Sequence, residues 1–130
     1  MLSPSRLFLA LGALTLLLAT VLGAYGTHAL RDAVTAAAWD AYAVGVDYQF
    51  YHGLGLVAVA LTAERYPRST WIAAAGWLML GGIVLFCGSI YATTFGASGV
   101  VGAAAPIGGL CLMLGWLALA LGALNGSRAG

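Results

Sequence analysis

The chain has 130 residues, 62% of them apolar and 7% charged, with a formal net charge of +1. Soluble domains carry about 25% charged residues, so this composition excludes a soluble domain and makes lipid the expected solvent. The length suits one domain, 1–130, and the small net charge gives no footing for nucleic acid as a partner.

The first apolar run follows Arg6 and predicts a span at about 6–25. Leu7 to Leu22 exceeds the usual apolar stretch of a signal peptide, about 7–15 residues, so the run reads as a retained span. The following segment, roughly Gly26 to Gly45, has ordinary polarity. Within it Val34, Ala38 and Ala41 fall on one helical face, which suggests a short helix lying on the membrane surface, with a plain connector as the alternative. The second span is expected at 46–63 and begins with a carboxylate, an amide and an imidazole: Asp47, Gln49 and His52.

Residues 69–127 carry no charge. One helix of that length would measure about 90 Å, roughly three bilayer cores, so the run must fold back. "TTFGASG", Thr93 to Gly99, supplies the turn and leaves spans at 70–92 and 100–124. No segment alternates apolar with polar residues as a membrane β-barrel strand does. The predicted fold is therefore all-α, a compact bundle of four transmembrane helices. Small side chains recur along the last two spans, at Ala74, Gly81 and Gly88 and at Gly108, Cys111, Gly115, Ala118 and Gly122. Such stripes let helix backbones approach closely in lipid, where little hydrophobic force drives association.

All five basic residues are arginines. Arg6, Arg65, Arg68 and Arg128 fall on one side of the expected bundle and Arg31 on the other, which puts both termini in the cytoplasm and the loops after spans one and three outside. Tyr25, Trp39, Tyr42, Tyr48 and Tyr91 are then expected at the outer interface.

Four stretches carry a family resemblance: "LGAYGTHAL" at 22–30, "GVDYQFYHGLGLV" at 45–57, "GGIVLFCGSIY" at 81–91 and "APIGGLCLMLGWLALALGA" at 105–123. Together they resemble the domain-of-unknown-function family 423, small bacterial membrane proteins similar to the eukaryotic transmembrane protein 256. The family usually has phenylalanine and alanine where this chain has Tyr25 and Thr27. The resemblance implies four spans and a bacterial inner-membrane location, and it brings no reaction, ligand or partner.

In that topology the four motifs meet at the outer end. His28, Asp47, Tyr48, Gln49, His52, Ser89 and Tyr91 form the candidate ligand site there, with Gln49, Tyr48 and His52 able to share a helix face. The alternative is helix glue: Gln49 and His52 hydrogen-bonded across helices, and Asp47 placed favourably near a helix start. His28 and His52 lie in no metal-spacing motif, so no metal or other cofactor is expected. Cys87 and Cys111 read as packing residues. No nucleophile elbow, phosphate loop or H-E-x-x-H motif occurs. The reading reached is a non-enzymatic structural, interaction or lipid-organising protein, with the bilayer, a second copy or another membrane protein as partner. A small transporter or proton-linked conduit, and a haem-, quinone- or lipid-binding protein, are the alternatives.

Overall fold

The structure, a computed structural model, describes residues 1–125 and contains helices and no strand among them. Helix α1, Pro4–Tyr25, is capped by Ser3, whose Oγ accepts from the Arg6 N–H at 3.4 Å, with proline in the first turn where its missing N–H costs nothing. It widens into a π-helical turn, Gly26–Leu30, closed by Arg31 N–H donating to Gly26 O at 2.9 Å. Helix α2 then runs without a break from Ala36 to Arg65, capped by Thr35. Helix α3 covers Thr70–Thr94, capped by Ser69. Gly96, at φ +99°, makes the left-handed turn that ends it. A single turn, α4 (Gly99–Gly102), leads into α5, Ala104–Asn125. Pro106 lies in the first turn of α5, where no helical hydrogen bond is lost.

Three segments are long and apolar enough to cross a membrane: Pro4–Leu30, Thr70–Thr94 and Gly99–Asn125. Helix α2 is not among them because Asp47, Gln49 and His52 lower its apolarity. It is nevertheless a central helix of the bundle. Eleven of its residues are buried, Gln49 and His52 among them. Helices α2 and α3 pack on each other at the centre, with α1 against α2 and α5 against α3. Gln49 and His52 lower its apolarity while staying enclosed by neighbouring helices, whereas Asp47 is exposed.

The core of large side chains, Phe8, Leu56, Val59, Ile72, Met79, Cys87 and Leu112, lies between the helices. Glycines set the approach of α5 to α3. A methyl group added at Gly108 would run into the Phe86 backbone, at Gly115 into Met79, and at Gly122 into Ile72. On α3 the matching position is Gly82, against Leu112. The stripe expected at Ala74, Gly81 and Gly88 is rotated away from these contacts, for a methyl at Gly81 or Gly88 meets nothing within 4 Å. A seven-residue repeat fixes spacing but not phase, and one position of offset turns a helix by about 100°.

Three further expectations are corrected. Residues 36–45 form the first turns of α2 itself, because Thr35 supplies the cap and no helix breaker follows. Tyr42 is a core residue, 1% exposed, and Asp47 sits about three turns inside α2 and away from its start. Arg128 lies outside the described residues.

Candidate functional site

The polar residues that the sequence gathers at one end are separated by the structure into several environments. The best connected is a tie across three helices. Gln49 on α2, 4% exposed, donates from Nε2 to the Thr15 carbonyl of α1 at 3.0 Å, and its Oε1 accepts from the Tyr91 hydroxyl of α3 at 2.7 Å. Glutamine is long enough to reach both neighbours, and its two amide ends give opposite hydrogen-bond polarity. Tyr91 reaches inward because side chains lean toward the N-terminus of their helix, which for α3 is the end carrying Arg65 and Arg68.

Tyr42 supports this tie from the aromatic end of the bundle. Its hydroxyl donates to Leu22 O, one turn before the π-helical segment, and its ring lies 5.4 Å from Tyr91 and 6.1 Å from Trp39. The Arg31 guanidinium sits over Trp39 at 5.6 Å, a cation–π contact. Gly26 is required opposite Tyr42, since a methyl there would strike the phenol ring. From sequence Tyr42 and Trp39 read only as interfacial aromatics, and no local signal marks Tyr42 as buried.

His52 turns the other way. Its Nδ1 lies 2.7 Å from the Tyr48 carbonyl, and since a carbonyl only accepts, Nδ1 carries the proton. The imidazole is 5% exposed and stands 5.7 Å from the Tyr48 ring and 5.9 Å from the Trp116 ring of α5. Tyr48 and His52 thus share a face as their spacing requires. Gln49, three positions before His52, is rotated from it by about 60° and faces α1 and α3.

The remaining candidates lie apart. Ser89 is buried and donates to Phe86 O in its own helix at 2.9 Å. His28 is exposed on the π-helical turn. Asp47 is exposed and borders a cleft of about 170 Å³ with Thr27, Trp39 and Tyr42. Among the described residues, no three of His, Cys, Asp and Glu cluster so as to hold a metal ion. Cys87 and Cys111 are free thiols.

Beside the tie a groove of about 430 Å³ opens between α1 and α3, floored by Thr15 and Gln49. It exists because the two helices meet only at their other end, where Phe8 packs on Gly76 and its ring lies 5.4 Å from that of Trp77. Thr15 thereby becomes part of the site.

The family described as "Protein of unknown function (DUF423)" matches residues 22–109, from the end of α1 through Gln49 and Tyr91 to the start of α5. The chain belongs to this family. It is 37% identical to the UPF0382 membrane protein YwdK of Bacillus subtilis over 120 residues, 92% of this chain and 98% of that protein. A UPF0382 membrane protein of Haemophilus influenzae is 38% identical over 118 residues, 91% of this chain and 94% of the relative. One from Staphylococcus saprophyticus is 36% identical over 118 residues, covering 90% and 96%. No solved structure matches. This DUF423 chain is a helical membrane protein of a family of unknown function.

Proposed function

We propose that this protein is a non-enzymatic, four-span component of the bacterial inner membrane that organises the lipid or protein beside it. Helix α2 serves as the fourth span. At 30 residues it is about 45 Å long, so its central turns cross a core of about 30 Å while its first turns, with Trp39, sit in the outer interface. Arg6, Arg65 and Arg68 at one end favour a cytoplasmic location for both termini and the loop at Tyr66–Ser69.

The observation that carries this reading is the use of Gln49. Both ends of its buried amide are engaged in joining α1, α2 and α3, as expected of polar glue within a bundle. His52 is likewise oriented by its own helix and enclosed by aromatic rings. The test places purified protein in nanodiscs of native membrane lipid and follows the lipid composition by mass spectrometry. No new species is expected. A product that forms with the wild type and not with His52→Ala or Gln49→Leu would make the protein an enzyme and overturn the proposal.

A further inference from the structure

The face of α2 turned away from its neighbours carries a regular pattern of its own. Val44, Tyr51, Leu54 and Leu61 are exposed there, Asp47 is exposed among them, and Ala58 lies half-buried between the two leucines. Their spacing alternates three and four residues over about 26 Å of helix, the repeat that keeps one seam facing a parallel helix. The contacts of α2 with α1 and α3 use its other side, where Gln49, Gly53 and Leu56 are buried.

Asp47 sets this face apart from an ordinary lipid-facing surface. It lies about 27 Å from Arg65 along α2, so with Arg65 at the inner edge of a core of about 30 Å, Asp47 stands just inside the outer edge. A carboxylate at that depth is costly against acyl chains, which offer it no donor. The hydrogen bonds of the neighbouring Tyr42, Gln49 and His52 engage Leu22, Thr15, Tyr91 and Tyr48, and Arg31 is held over Trp39. One turn deeper, Tyr51 is 55% exposed. Its ring stands 5.9 Å from that of Tyr48, and side chains lean toward the start of their helix, so its hydroxyl points back toward the level of residue 47. The face thus holds an acceptor and, one turn below it, a donor.

We infer that a second copy of the chain docks on this face through α2, around a two-fold axis along the bilayer normal, with each Tyr51 hydroxyl donating to the Asp47 carboxylate of the other copy. Like-oriented copies place equal residues opposite one another, so a donor one turn below an acceptor is self-complementary and the contact closes as two identical bonds. The two carboxylates meet near the axis, where paired acids hold one proton between them and lose half their charge. Leu54, Ala58 and Leu61 pack below them, and Asp40, one heptad further out, stays in the hydrated interface. A lipid phosphate would bring more acceptors to Asp47, whereas a second copy brings the phenol it needs. The inference deepens the proposed function and rests on it, naming a second copy as the protein beside the bundle.

The experiment uses full-length protein in vesicles of phosphatidylethanolamine and phosphatidylglycerol. Oxidative cross-linking of Leu54→Cys is expected to exceed that of Leu117→Cys, an equally exposed position on α5, and the wild-type background from Cys87 and Cys111. Energy transfer between donor- and acceptor-labelled copies, followed as lipid is added, gives the strength of association. Tyr51→Phe, which keeps the ring and deletes the hydroxyl, should weaken it about tenfold, for two bonds lost per dimer. Asp47→Ala should weaken it as well, and adding Tyr51→Phe to Asp47→Ala should change it little further. Equal cross-linking at Leu54→Cys and Leu117→Cys overturns the dimer, as does a Tyr51→Phe effect of the same size with and without Asp47. Cross-linking at Gly81→Cys in place of Leu54→Cys moves the contact to α3 and overturns it too. Each of these outcomes leaves the non-enzymatic reading standing, which only a new lipid product in the nanodisc assay removes.

Discussion

The α3–α5 seam and the α1–α3 gap show two ways of joining helices in one small bundle. Along α3 and α5 the backbones come close because Gly82, Gly108, Gly115 and Gly122 leave room for Leu112, Phe86, Met79 and Ile72. Between α1 and α3 the helices stand apart, and Gln49 and Tyr91 bridge the space with hydrogen bonds of 3.0 and 2.7 Å. The seam gains its stability from dispersion over many atoms, whereas the gap depends on a few directional bonds. A small-residue seam leaves no room for anything else, while a hydrogen-bonded gap leaves a groove.

The comparison breaks most severely at Gly108. A valine there would press its Cβ into the Phe86 backbone, which has no flexible end to move aside. The expected cost is about 3 kcal/mol, the upper part of the usual overpacking range, with α5 displaced from α3. Thermal melting in detergent would show it, and a Gly108→Val protein melting with the wild type would mean that the seam is not close-packed.

The gap should yield less. Gln49→Leu removes both bonds of the tie and leaves the Tyr91 hydroxyl without its acceptor, for an expected loss of about 1–2 kcal/mol. The seam is untouched by this change, so disulfide trapping of engineered cysteine pairs should show the α3–α5 distance preserved while α1 loosens. A smaller effect belongs to Tyr91→Phe. Combined with Gln49→Leu in a double-mutant cycle, it should give a coupling energy of about 0.6 kcal/mol, and a coupling of zero would remove the hydrogen bond from the account.

Much of this architecture was legible in the sequence. Apolar run lengths located three helices, the Thr93–Gly99 turn is where α3 ends, and Gly108, Gly115 and Gly122 fall on a helix contact. What escaped was rotational. Gln49 and His52 were expected to share a face, yet the angle of about 60° between them sends one to α1 and α3 and the other to Trp116. Tyr42 was expected at an interface but is buried, because the unbroken start of α2 brings it against Gly26 and Leu22. Sequence spacing gives angles within a helix, and only neighbouring helices determine which angle points inward. The groove, which depends on two helices failing to meet, left no local mark in either of them.

The smallest effect tests that rotational lesson most directly. Gly81 and Gly82 are adjacent on α3, and the heptad stripe selects the first while the packing selects the second. Gly81→Ala adds a methyl that meets nothing and trades glycine for a better helix former, so its melting temperature should match or slightly exceed that of the wild type, within about 0.5 kcal/mol. A clear loss of stability in the isolated protomer would mean that the α3 face bearing Gly81 packs on something within the chain, against the geometry described here. A loss that appears only at concentrations where the protein self-associates would instead place that face between two copies, an interface in which α3 used its second stripe of small residues as it uses the first against α5.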